Sequence, residues 1–314
     1  MRLYRYVTSG ESRARLAVAV GERAPVDLKD AYRAGGPSPD HEWLTSMAAL
    51  IEAGEDAWSA VRAACEAAGD PGLEDDGSAV TFLCPLDAPG SLRDFLAFES
   101  HVKRGAERRS GRVPEYWYEA PVYYKGNHRA LLGPGDDCPW PPYTDYLDFE
   151  LELAMIVGRS GRDIPVEDAA AHVFGFTIFN DFSARDIQMR EVTAWLGPAK
   201  GKDFANAFGP CIVTADEVGP EPDLEMVCRV NGEQWGRARS SEAHWTWADM
   251  LAHVSLSEDV HPGDVYGSGT PGGCCGLDQG RKLGPGDVVD LEIERIGVLT
   301  NRVGPKPAPT PSGR

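Results

Sequence analysis

The sequence predicts an α+β, β-rich fold, and three observations carry that expectation. From about residue 79, short apolar runs at 80–83, 121–124, 148–157, 174–180, 210–214, 224–230 and 287–294 alternate with Pro/Gly turns. In the last run Val289, Leu291 and Ile293 alternate with Asp290, Glu292 and Glu294, the pattern of a half-buried strand. Before residue 79 the one long periodic stretch is helical. Many short strands with few helices imply a folded or rolled sheet.

Residues 3–7 and 16–20 read as strands, punctuated by Thr8-Ser9-Gly10 and Gly21. A helix is expected from about 40 to 68. Trp43, Met47, Leu50, Ile51, Trp58, Val61 and Cys65 recur there at helical spacing, after the cap and first-turn proline of Ser38-Pro39-Asp40. Gly69-Asp70-Pro71-Gly72 stops it, and the acidic, Gly-rich stretch 70–78 reads as a linker. This divides the chain into a small N-terminal domain, 1–78, and a larger domain, 79–304. Further helices are expected at 91–104 and at 165–172, after Ile164-Pro165. The Pro-rich tail, 305–314, is expected to be disordered.

Charge excludes some partners. Thirty-one Lys+Arg against 49 Asp+Glu leave a net charge of −18. Nucleic acid and anionic lipid surfaces are bound by basic patches, so neither is expected. No apolar run reaches the roughly 18 residues that a membrane span requires. Met1–Tyr6 lacks the apolar core of a signal peptide, so residence in the cytoplasm is expected. Seven cysteines without a C-x-x-C read as reduced, buried thiols, not as a disulfide frame or zinc site.

Two nucleotide motifs fail on context. Gly267-Ser-Gly-Thr-Pro-Gly272 matches G-x-G-x-x-G, but more glycines follow where a dinucleotide fold opens a helix. Gly197-Pro-Ala-Lys-Gly-Lys202 resembles a P-loop, yet it is one residue short and lacks the Ser/Thr for Mg²⁺. The chain also has no G-x-S-x-G elbow and no H-E-x-x-H.

The informative stretch is Asp148-Phe-Glu150-Leu-Glu152-Leu. On a strand, Glu150 and Glu152 share one face, opposite Phe149, Leu151 and Leu153. Taken alone, this reads as a strand with a polar outer face. Asp181 follows the apolar run 174–179, where a cap or turn residue would also be Asp. Asp94 falls at the start of the helix expected at 91–104, where an acid is electrostatically favoured. If Asp94, Glu150, Glu152 and Asp181 converge, they form an oxygen-only cage for a hard cation. Without a cation, like charges so close force protons back on.

From Asp94 to Val303 the sequence resembles the fumarylacetoacetate hydrolase superfamily. The matching segments are Leu147-Asp-Phe-Glu-Leu-Glu-Leu-Ala154, Asn180-Asp-Phe-Ser-Ala-Arg-Asp-Ile-Gln188, Leu196-Gly-Pro-Ala-Lys-Gly-Lys-Asp-Phe204, Gly267-Ser-Gly-Thr-Pro-Gly272 and Gly297–Val303. The resemblance implies a β-roll catalytic domain behind a small N-terminal α/β domain, usually in a homodimer. It implies a divalent cation, Mg²⁺ first with Mn²⁺ or Ca²⁺ as alternatives, held by Asp94, Glu150, Glu152 and Asp181. It makes His101, seven residues after Asp94, the catalytic histidine. Gln188, Lys202, Tyr124 and Thr270 fall where the family contacts its substrate. An arginine for the substrate carboxylate is expected from Arg104, Arg108, Arg109 or Arg112, with Arg109 as the candidate.

The sequence departs from the family twice. Where family hydrolases carry a Glu that orients the histidine and water, the nearest residue is Asp278. It is one methylene shorter, so backbone or a water must recover the reach. The stretch Met189–Trp195 also differs from that of the enzymes that cleave fumarylacetoacetate itself.

The implied reaction is metal-dependent hydrolysis of a C–C bond in a fumarylacetoacetate- or acylpyruvate-like diketo acid. His101 would serve as general base, Asp278 as its orienter, and Lys202 as a stabiliser of negative oxygen or a proton donor. The same site supports a 2-oxo acid decarboxylase, an isomerase or tautomerase, or a hydratase. A non-catalytic binding protein has no need of both His101 and Lys202.

Overall fold

The strand Leu151–Val157 organises the molecule. Every residue in it is buried. Leu151, Leu153, Met155 and Val157 face one apolar core, and Ala154 and Ile156 face another. Glu152 therefore shares the face of Ala154 and Ile156, and the outer polar face that its sequence suggests does not exist. The computed structural model describes residues 1–21, 23–34, 41–68, 72–73, 79–87, 89–108 and 111–308.

The strand lies inside a mixed sheet. From one edge the order is Val26–Asp27, Arg15–Ala19, Arg2–Thr8, Asn206–Thr214, Val173–Asp181, Leu151–Val157, Val265–Gly267, Leu92–Phe95 and Tyr123–Lys125. A second sheet runs Glu233–Arg239, Glu225–Val230, Val288–Ile293, Gly297–Val303 and Asp137–Cys138. Met226, Leu291 and Leu299 of the second sheet share a core with Leu151, Leu153 and Phe176 of the first. The β-rich α+β fold expected from the sequence is the fold observed.

The N-terminal strand joins this sheet directly. Arg2 pairs with Val213 and Leu3 with Ile212. A division near residue 78, kept as a proposal about independent folding, thus separates elements that share one sheet. The linker expected at 70–78 and the cap at 38–40 fall almost wholly outside the described residues.

Three element expectations are corrected. The helix expected over 40–68 is a 3-10 turn, Glu42–Leu44, followed by helices Met47–Glu52 and Glu55–Ala67. Ser46 caps the first helix by accepting from the Ala49 N–H at 3.1 Å. Gly54, at φ 81°, starts the next in a backbone conformation that other residues rarely adopt. Met47, Leu50, Ile51, Val61 and Cys65 are buried as their spacing predicts. The helix expected over 91–104 is instead the strand Leu92–Phe95 and then the helix Glu99–Glu107. The strand forms because partners lie on both sides, Val265–Gly267 and Tyr123–Lys125. The helix expected at 165–172 is a 3-10 helix, Val166–His172.

Of the tail, residues 305–308 are described. Lys306 donates to Asp145 at 2.6 Å and lies 5.4 Å from the Trp140 ring centre. Among the described residues, no helix is long and apolar enough to cross a membrane.

Candidate metal centre and its histidine

Three strands of the first sheet bring the acidic residues together. Asp94 lies on its strand opposite Gly267 on one side and Tyr124 on the other. It is not at a helix start, so a favourable helix dipole does not explain it. Glu152 sits inside the central strand, and Glu150 just before it, where its backbone bridges Cys275. Asp181 ends the neighbouring strand, and its N–H donates to the Glu150 carbonyl at 3.3 Å. One oxygen from each of Asp94, Glu150, Glu152 and Asp181 lies within 4.8 Å of the others, and all four residues are buried.

Glycine makes the room. A Cβ on Gly267 would lie 2.6 Å from Asp94 Oδ1 and 2.8 Å from Glu152 Oε2. Any side chain there would displace a carboxylate.

The charges are only partly offset. Lys202 Nζ donates to Glu150 Oε2 and Asp181 Oδ2, each at 2.5 Å. Arg185 donates from Nη2 to Glu150 Oε1 and from Nε to Asp148 Oδ2, both at 2.8 Å. Burial raises the Glu150 pKa, but Arg185 and Lys202 outweigh it and hold the group at about 2. Asp94 and Glu152 have no such cations. Burial and then the charge of Asp181 push Asp94 well above the usual carboxylate range, and burial and then the charge of Asp94 do the same to Glu152. Burial also raises Asp181, against the pull of Lys202. Lys202 is raised: burial opposes its charge, but Asp181 and Glu150 prevail.

These residues fit a hard divalent cation. Asp94 Oδ1, Glu152 Oε1 and Asp181 Oδ1 are buried and accept no hydrogen bond. Buried carboxylate oxygens without partners are costly, and a cation among them removes the cost. The donors are all oxygen, as Mg²⁺, Mn²⁺ and Ca²⁺ require.

A histidine stands beside the cluster. His101 projects from the first turn of the helix Glu99–Glu107. Its Nε2 is 4.0 Å from Glu150 Oε1, and its Nδ1 is 2.9 Å from Asp278 Oδ2. The shorter reach of Asp278 needs no water. The carboxylate of Asp148 accepts from the Gly276 and Leu277 N–H groups at 2.8 and 2.9 Å, which fixes the short helix Gly276–Gln279 against the site. Asp278 also accepts from Gly273 N at 3.0 Å and from Arg108 at 2.8 Å. Burial raises its pKa, but His101, Gly273 and Arg108 together bring it well below the usual range.

The remaining expected residues lie at the margin. Tyr124 donates its hydroxyl to Asp181 Oδ2 at 2.8 Å. Gln188 accepts from Arg185 at 3.0 Å. Thr270 is buried and donates to the Cys274 carbonyl at 3.2 Å, tying the Gly-rich loop. Arg109 lies outside the described residues. Sequence reasoning missed Asp148 and Arg185, and it offered Arg108 only as a candidate for the substrate carboxylate, whereas Arg108 pairs with Asp278. Asp148 was within reach, because strand periodicity puts it on the face of Glu150 and Glu152.

The fumarylacetoacetate (FAA) hydrolase C-terminal model matches residues 91–304. The mitochondrial oxaloacetate tautomerase FAHD2A of Homo sapiens is 36% identical over 266 residues, covering 82% of this chain and 79% of that protein. The oxaloacetate tautomerase YisK of Bacillus subtilis is 36% identical over 204 residues, 65% of each chain. Among solved structures, a fumarylacetoacetate hydrolase from psychrophilic Exiguobacterium antarcticum superposes with a TM-score of 0.73 at 28% identity, covering 97% of this chain and 99% of that one. The chain therefore belongs to the fumarylacetoacetate hydrolase family.

Proposed function

We propose that the chain catalyses keto–enol tautomerisation of a short 2-oxo dicarboxylic acid of the oxaloacetate type. The geometry supplies a base for either reading, since His101 Nε2 lies 4.0 Å from Glu150 while Asp278 holds Nδ1, and the likeness to the relatives carries the choice between them. The oxaloacetate tautomerases that match over most of the chain favour this reaction over C–C hydrolysis.

Asp94, Glu150, Glu152 and Asp181 would hold a divalent cation, which would supply Lewis-acid stabilisation of the enolate. Mg²⁺ is our first choice. His101 Nε2 accepts the proton from the carbon next to the ketone. Asp278 accepts from Nδ1–H, fixes the tautomer and stabilises the imidazolium. The proton returns to oxygen, so the enol forms with no water consumed. Lys202 is held by two carboxylates, which assigns it to offsetting their charge and leaves one N–H for a substrate oxygen. Tyr124, Gln188, Thr270 and Arg109 remain proposed substrate contacts. A homodimer and a cytoplasmic location are proposed on the same footing. The human relative is named mitochondrial.

Hydrolysis of an acylpyruvate is the second reading. It is favoured by the same His101–Asp278 pair, which can deprotonate a water instead of carbon. One experiment separates the two. Oxaloacetate and an acylpyruvate are incubated with protein and Mg²⁺ or Mn²⁺ in D₂O, and followed by NMR. Tautomerisation predicts metal-dependent acceleration of C3 deuterium exchange and enol decay in oxaloacetate, without fragments. His101→Ala should slow it by roughly 10²–10⁴-fold. Cleavage of the acylpyruvate into two acids, with oxaloacetate untouched, would overturn the tautomerase reading in favour of hydrolysis.

A further inference from the structure

A second group of ligands adjoins the carboxylate cluster and differs from it in chemistry. His101, Cys275 and Asp278 each present one ligand atom within 4.8 Å of the others. Nitrogen, thiol sulfur and a carboxylate oxygen form a borderline-soft donor set, which suits Zn²⁺ and not Mg²⁺. We propose that these three residues form an inhibitory Zn²⁺ site that captures the histidine.

The site is built before any ion arrives. Cys275 is the N-cap residue of the short helix Gly276–Gln279 and Asp278 lies in its first turn, and the helix's first N–H groups are clamped by Asp148. Cys275 is further fixed by its backbone bridge to Glu150. Asp278 Oδ1 is taken by Arg108, so Oδ2 is the oxygen that faces the histidine. Cys275 and the side chain of Asp278 are buried, and the His101 side chain is 14% exposed, which gives the ion an approach. Coordination releases the thiol proton to solvent and replaces the hydrogen bond between His101 and Asp278. An imidazole bound to Zn²⁺ has lost the pairing that prepares it to accept a proton. The hard cation site keeps its own four carboxylates throughout.

Binding rests on the geometry alone, while inhibition rests also on the proton-carrying role of His101. The two are tested apart. Protein saturated with Mg²⁺ is titrated with Co²⁺, a spectroscopic substitute for Zn²⁺, and the near-ultraviolet thiolate-to-cobalt absorption is recorded. We expect one equivalent to give the band, Zn²⁺ to abolish it, and Cys275→Ser and Cys275→Ala to lack it with an unchanged circular dichroism spectrum. Cys84→Ser serves as control, since Cys84, at 8% exposed, is the least buried of the seven cysteine residues. In the tautomerase assay, Zn²⁺ should inhibit the wild type at a concentration at least tenfold below that needed for Cys275→Ser. No thiolate band, or a band that survives in both Cys275 variants, overturns the site. A band dependent on Cys275 without inhibition keeps the site and overturns the role of His101.

Discussion

Replacing Glu152 by Gln should have opposite effects on the metal-free and metal-loaded protein. Glu152 carries an unpaired buried oxygen, Oε1, and its Oε2 accepts from Gly269 N at 2.9 Å. Gln keeps an oxygen for Gly269 and gains an amide that can donate to Asp94. It also removes a carboxylate that burial and Asp94 disfavour as an anion. The chelated variant should therefore unfold no lower than the chelated wild type. A cation at a thousandfold excess over its Kd stabilises a fold by about 4 kcal/mol. For 314 residues the unfolding entropy is roughly 0.7 kcal/mol/K, so the wild-type Tm should rise by about 6 °C. Loss of one ligand that weakens affinity a hundredfold removes about 2.7 kcal/mol, which leaves a rise of roughly 2 °C. Thermal scans in chelator and in saturating Mg²⁺ or Mn²⁺ measure all four values. Equal metal-induced shifts in the two proteins, or a chelated variant that melts well below the wild type, would refute the claim that these carboxylates form one cation site.

Gly267→Ala puts a methyl where Asp94 and Glu152 already crowd, so it should cut the metal-induced rise in Tm by at least about 2 °C. Calorimetric metal titration then shows binding weakened by at least tenfold. Arg185→Met strips the buried Asp148 and Glu150 of their shared guanidinium, and breaking such a pair costs about 3–5 kcal/mol. Its denaturant midpoint should fall accordingly, in chelator as in metal. Metal binding should release protons, because Asp94 and Glu152 sit well above their usual range without it. Calorimetry in buffers of different ionisation enthalpy reads that number directly. The same raised groups bind more protons in the folded than the unfolded chain, so between their unfolded and folded pKa values the chelated protein loses stability as pH rises. Glu150, held at about 2, and the depressed Asp278 act in the other sense and lose their contribution as pH falls through the ordinary carboxylate range.

The acidic cluster was half legible in the sequence because one of its rules is local. Strand alternation fixes Glu150 and Glu152 on one face whatever surrounds them, and it reaches Asp148 as well. What surrounds them is not local. The apolar positions of 91–104 fit a helix as well as a strand. Only pairing with Val265–Gly267 and Tyr123–Lys125, far away along the chain, turns Asp94 toward the cluster. Cys275 gives no sequence signal at all: its ligand partner His101 is 174 positions earlier, with no spacing rule to join them. Of the residues that counter the buried charge, the resemblance named Lys202, but for the substrate and not for its two carboxylates, and Arg185 was hidden. Arg185 becomes informative only once its partners are seen to be buried.

Asp278 shows how such a site tolerates a shorter side chain. Its distance to His101 is set less by its own length than by where its helix begins. Asp148 decides that, by accepting from the two N–H groups that open the helix. The same carboxylate takes the Nε of Arg185, whose Nη2 reaches Glu150. One buried ion pair thus locates both the orienter of the histidine and a corner of the cation site. A mutation at Asp148 should disturb both together, whereas a mutation at Asp278 should spare the cation site. A link between the proposed proton transfer and the proposed metal binding would therefore run through Asp148 and Arg185.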